Sequence, residues 1–210
     1  MNLDTKRLRL YAVTDRAWLN GRSLSSQVEA AIDGGAGIVQ LREKQLSHQD
    51  FLEEAREIAR LCRARGVPLM INDDVEIAMA VDADGVHVGQ EDLAAGRARA
   101  MLGPDKIVGV SAHSVEEALA AQAAGADYLG VGAVFATGTK TDATYLSLEE
   151  VRAITAAVRI PAVAIGGISR GNILQLKGCG LSGVAVVSAL FAQADVEAAA
   201  RELLGLAKQL

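Results

Sequence analysis

Three clusters of polar residues in this chain follow short apolar runs, and together they could hold a metal-bound anion. Asn72-Asp73-Asp74 follows Pro68–Ile71, Gly89-Gln90-Glu91-Asp92 follows Gly85–Val88, and Thr137-Gly138-Thr139-Lys140 lies in the loop after Tyr128–Val131. Asp73 and Asp92 are hard oxygen donors, and Mg²⁺ takes one or two protein carboxylates while waters and substrate phosphates complete its octahedron. Taken alone, Asn72-Asp73-Asp74 reads more simply as the N-cap of a following helix. A second acid in the same kind of place, Asp92, shifts the balance toward one bound cation.

Gln40 and Arg42 share strand parity, which points both into the same interior, with Lys44 just beyond. An amide, a planar guanidinium and a flexible ammonium suit a multiply charged anion. The plainer alternative is a solvated strand end with an ion pair through Glu43. Gly166-Gly167-Ile168 and Val187-Ser188-Ala189 follow the last two apolar runs, where a parallel barrel binds phosphate with backbone amides and a short helix N-terminus. They form a second candidate anion site.

The elements that must position these residues are eight apolar runs: Leu8–Val13, Ile38–Leu41, Pro68–Ile71, Gly85–Val88, Ile107–Val110, Tyr128–Val131, Ala162–Ile165 and Gly183–Val187. Their near-continuous apolar character is that of parallel strands buried on both faces. Amphipathic stretches alternate with them: 24–33, 47–64, 75–80, 93–102, 115–123, 148–157, 172–176 and 196–207. Asp33-Gly34-Gly35, Ala124-Gly125-Ala126 and Gly178-Cys179-Gly180 each place glycine where a helix returns to a strand. Eight such units with right-handed crossovers close into a (β/α)₈ barrel, one domain over residues 1–210. A doubly wound open sheet is the alternative, but Thr14-Asp15-Arg16 stands where its glycine fingerprint belongs.

Composition narrows the partners. A net charge of −5, with no basic run, argues against a nucleic-acid surface. No apolar stretch reaches membrane-spanning length and no signal-like segment opens the chain, so a cytoplasmic protein acting on small molecules is expected. A homo-oligomer is compatible with this reading. Cys62 and Cys179 fit reduced, packing thiols. His48 belongs on a helix surface, His87 reads as a hydrogen-bonded core residue, and His113 lies past the fifth strand; none is assigned proton transfer.

The motifs Leu10-Tyr11-Ala12-Val13-Thr14-Asp15, Gln40-Leu41-Arg42-Glu43-Lys44, Asn72-Asp73-Asp74, His87-Val88-Gly89-Gln90-Glu91-Asp92, Gly109-Val110-Ser111-Ala112-His113-Ser114, Thr137-Gly138-Thr139-Lys140 and Ile165-Gly166-Gly167-Ile168 closely resemble, in order and over essentially the whole chain, those of the thiamine phosphate synthase family. The resemblance implies joining of 4-amino-2-methyl-5-hydroxymethylpyrimidine diphosphate to 4-methyl-5-(2-phosphooxyethyl)thiazole, giving thiamine phosphate and diphosphate. By the same resemblance Gln40, Leu41, Arg42, Glu43, Lys44, Asn72, Ser111 and Lys140 bind the pyrimidine diphosphate. Arg42, Lys44, Lys140 and Ser111 carry the catalysis, and Asp73 and Asp92 ligate one Mg²⁺ per subunit. Thr137, Gly138, Thr139, Gly167, Val187 and Ser188 hold the thiazole phosphate. Ala136, where many members carry proline, and Gly138 depart from the family pattern and imply a more pliable loop. Two rivals are a related thiazole tautomerase, which needs an acid-base group where Ala133 stands, and a noncatalytic thiazole-phosphate sensor, which need not keep the metal acids.

Overall fold

The computed structural model describes residues 3–89, 95–136 and 145–210. Eight strands, β1 (Leu10–Val13), β2 (Ile38–Leu41), β3 (Leu69–Asn72), β4 (Gly85–Val88), β5 (Ile107–Ala112), β6 (Tyr128–Val131), β7 (Ala162–Ala164) and β8 (Gly183–Val186), pair in chain order, all parallel. Because β8 pairs with β1, the sheet is a closed barrel and presents no edge. Around it lie α1 (Leu24–Asp33), α2 (His48–Arg65), α3 (Val75–Ala80), α4 (Ala95–Leu102), α5 (Val115–Ala123), α6 (Leu148–Ala157), the four-residue α7 (Ser188–Phe191) and α8 (Val196–Ala207). This is the expected TIM barrel.

Two cores follow from strand parity. Residues such as Ala12, Val39, Leu41, Ile71 and Val86 face outward and pack against the helix ring. Tyr11, Ile38, Met70, Ile107, Tyr128, Val163 and Ala185 fill the interior, as inward side chains do in a barrel of this size. Gly35, Gly125 and Gly180 take positive φ of 103°, 91° and 72° at the helix-to-strand returns anticipated from their spacing.

Local differences have local causes. Residues Thr5–Arg9 form a 3₁₀ turn rather than the start of β1, because the Asp4 carboxylate accepts the Lys6 amide at 3.0 Å. The expected helix at 172–176 is a 3₁₀ turn over Ile173–Leu176. Asn172 does not cap it; its side chain accepts from the Ser169 amide at 2.8 Å and donates to the Gly167 carbonyl at 2.9 Å. Strand β5 extends to Ala112, so Ser111 sits within the strand rather than past it.

Candidate active site

The C-terminal ends of the strands gather the described candidate residues at one mouth. At β2, Gln40 points inward and is buried, its Nε2 donating to Tyr11 Oη at 2.8 Å. Leu41 is fully buried in the outer core, so only its backbone can face a ligand. Arg42 stands one residue past the end of β2 at Leu41; its amide donates to Thr14 Oγ1 at 3.0 Å and its guanidinium lies 3.5 Å from the Asp15 carboxylate.

Glu43 organises this turn. Its Oε1 accepts the amides of Lys44 and Gln45 at 2.8 and 3.0 Å, and its Oε2 accepts from Arg16 Nε at 2.9 Å. Burial would raise the Glu43 carboxyl, yet these donors hold it below the usual range. Arg16 also pairs with Glu54 of α2. Burial pushes Glu54 up despite that partner, while the hydrogen bond to Glu43 holds the guanidinium in its charged form. Thr14-Asp15-Arg16, noted in the sequence only for lacking glycine, therefore straps the β2 turn in place. Its signal was positional: it too follows a strand.

At β3 the adjacent aspartates divide two roles. Asp74 is the N-cap of α3, its Oδ1 accepting the Ile77 amide at 2.8 Å. Asp73 takes φ +64°, sparsely populated for residues other than glycine, with its amide donating to the His87 carbonyl at 2.9 Å. Its carboxylate faces the mouth, where Oδ2 meets Lys44 Nζ at 2.5 Å and the Asn72 side-chain amide. An acid after β3 and an amine after β2 thus touch. Ser111 Oγ, 3.0 Å from His87 Nε2, reaches the mouth from β5. His87 is the buried hydrogen-bonded residue expected. His48 lies exposed at the start of α2, and His113 pairs with Glu117 at 3.1 Å.

On the opposite side, Gly167 (φ +64°) leaves room for backbone: a Cβ there would come within 2.3 Å of the Ala136 carbonyl. Val187 precedes α7 and offers no side-chain cap, leaving Ser188 exposed at the first turn. Asp92 and the Thr137, Gly138, Thr139 and Lys140 loop lie outside the described residues, as does the greater pliability expected of that loop. Among the described residues no group of three or more His, Cys, Asp or Glu gathers as a metal site. Mg²⁺ needs fewer protein ligands when a diphosphate supplies the rest, and the hard, mouth-facing Asp73 fits that chemistry.

A profile for thiamine monophosphate synthase matches residues 10–190. The chain belongs to that family. It is 51% identical over 195 residues to a thiamine-phosphate synthase of Ruminiclostridium cellulolyticum, covering 93% of each chain. Identity is 53% over 199 residues to that of Chloroflexus aurantiacus, covering 94% of this chain and 92% of the other. The solved thiamine phosphate pyrophosphorylase of Pyrococcus furiosus superposes with a TM-score of 0.89 at 38% identity, covering 97% of both chains. The chain is thus a transferase of thiamine biosynthesis, a thiamine-phosphate-forming barrel. No helix among the described residues is long and apolar enough to cross a membrane.

Proposed function

We propose that the mouth of this barrel condenses the pyrimidine diphosphate with the thiazole phosphate by a dissociative substitution that uses the residues assembled above. The observation that carries the reading is the meeting of Lys44 and Asp73 at 2.5 Å, because a diphosphate with its cation needs both charges in one place. Arg42, Lys44 and Lys140 neutralise the diphosphate as it departs. Ser111 and Asn72 orient it, with Gln40 beneath and the Leu41–Glu43 backbone alongside. Gly167, Val187, Ser188 and the Thr137, Gly138 and Thr139 segment hold the thiazole phosphate, so proximity directs the ring nitrogen to the exposed carbon. Asp73 and Asp92 would hold one Mg²⁺, which when bound supplies positive charge for the leaving group.

The electron-rich aminopyrimidine stabilises the benzylic-type cation itself, so no general base is required. Ala133 is buried and apolar, which leaves the tautomerase alternative without its proton-transfer group. We read the elements as one domain and the setting as cytoplasmic, supported by two buried, unpaired thiols.

Formation of thiamine phosphate from the two substrates tests this directly. Turnover should vanish in EDTA and return with Mg²⁺. Full activity in metal-free buffer would remove Asp73 and Asp92 from the role given them.

A further inference from the structure

Five buried polar side chains from five strands form one continuous hydrogen-bonded line across the inside of the barrel. Gln40 Nε2 donates to Tyr11 Oη at 2.8 Å. The Tyr11 and Tyr128 oxygens are 2.8 Å apart, Tyr128 Oη is 2.9 Å from His87 Nδ1, and His87 Nε2 is 3.0 Å from Ser111 Oγ. The first and last of these five, Gln40 and Ser111, are assigned above to the pyrimidine diphosphate. The three middle members have no part in that reading.

The line has a direction. An amide nitrogen only donates, and a phenol has one proton to give. Receiving from Gln40, Tyr11 gives its proton to Tyr128, which gives its own to His87 Nδ1. That nitrogen is then an acceptor, so a neutral ring carries its proton on Nε2 and donates to Ser111 Oγ. The Ser111 hydroxyl proton is thereby turned away from the ring. We propose that Tyr11, Tyr128 and His87 are positioning residues, a one-way relay that fixes His87 as the Nε2–H tautomer and makes Ser111 a donor toward the acceptor-only oxygens of the pyrimidine diphosphate. The proposal rests on the assignment of Ser111 to that substrate.

Three observations support it. Burial pushes both phenols above the ordinary tyrosine range, so neither loses its proton near neutrality. The barrel is hollowed for the line: a Cβ on Gly109 would lie 2.1 Å from Tyr128 Cζ and 2.3 Å from its Oη. The rings also support one another, with the Tyr11 and Tyr128 centroids 5.9 Å apart in an edge-on arrangement. A Gln40 amide turned the other way would reverse every donor, place the His87 proton on Nδ1 and set an acceptor against an anion.

The tautomer is directly measurable. In intact protein labelled with ¹⁵N-histidine, long-range ¹H–¹⁵N correlation separates a protonated ring nitrogen from a bare one. The chain has three histidines, so His48→Gln and His113→Gln assign His87 by elimination. A single ring form protonated on Nε2 is expected; a proton on Nδ1, or a mixture at neutral pH, overturns the relay. Tyr128→Phe keeps the ring and removes both bonds. It should mix the tautomers and raise the KM for pyrimidine diphosphate roughly tenfold, with the thiazole-phosphate KM changed less than about twofold. Equal rises in both constants, or unchanged kinetics with the tautomer lost, would overturn the positioning role. If that variant does not fold, Tyr11→Phe interrupts the line one member earlier and should give a weaker form of the same split; its absence counts against the relay. Failure of the underlying assignment looks different: Ser111→Ala would leave the pyrimidine-diphosphate KM unchanged while His87 remained the Nε2–H form.

Discussion

Glu43 and Glu54 share one guanidinium, yet their carboxyls move in opposite directions, down for Glu43 and up for Glu54. A depressed carboxyl contributes stability above the ordinary glutamate value of 4.5, and that stability is lost as pH falls through the lowered folded-state value. A raised carboxyl does the reverse, its contribution fading as pH rises through the folded value. Glu43→Gln should therefore lose about 1–2 kcal/mol in urea denaturation at neutral pH and show a flatter acid limb. Glu54→Gln, which removes a charge whose Oε2 is buried with no hydrogen-bond partner among the described residues, should be neutral or stabilising there. The two aspartates after β3 should also part company. Asp74→Ala removes a helix cap and should lower stability by about 1 kcal/mol. Asp73→Asn should change stability by less than about 0.5 kcal/mol while severely reducing turnover and raising the Mg²⁺ requirement. Cap and mouth-facing acid look alike in Asn72-Asp73-Asp74 as a string, because either role suits aspartate; the Asp74 side-chain bond to the Ile77 amide and the positive φ of Asp73 separate them.

Among the elements, parity predicted the interior of the strands: Gln40 enters the barrel and Leu41 leaves it. It gave no sign of the contacts that Arg42 makes past the end of β2 with Thr14 and Asp15, which come from another strand. The 3₁₀ turn at Ile173–Leu176 was missed for a different reason: its apolar residues suit either helix, and Asn172 is engaged by the glycine loop before it. Strand β5 has no tolerance for volume where Tyr128 crosses it. Gly109→Ala should destabilise the fold by about 1–3 kcal/mol and weaken pyrimidine-diphosphate binding, measured by thermal unfolding and by titration of that substrate. At the other proposed anion site Ser188→Ala should raise the thiazole-phosphate KM and leave the pyrimidine-diphosphate KM near its original value. A matching change in both constants would mean that the two anion sites are not separate.

For the whole molecule, eight apolar runs with glycine returns were enough to specify the closed parallel barrel, since each strand buried on both faces demands a helix outside and a filled interior. What the runs could not convey was long-range pairing. Tyr11 and Tyr128 are separated by 117 residues and Arg16 and Glu54 by 38, and nothing local marks a tyrosine or arginine as a partner rather than a core filler or a surface charge. Closure has a further consequence for the two cysteines. Cys62 on α2 and Cys179 before β8 are each 1% exposed, and burial, with Asp84 adding to it, pushes the Cys62 thiol up to about 12. Neither can meet an alkylating reagent in the folded barrel. They sit on separate arcs of a ring whose first and last strands are laced together, so the ring cannot shed one arc without breaking lateral pairing at two seams. The thiols are therefore paired clocks of barrel opening. Under reagent excess both should react at one common rate set by global unfolding, whereas earlier modification of Cys179 would reveal that the last β/α units peel away on their own.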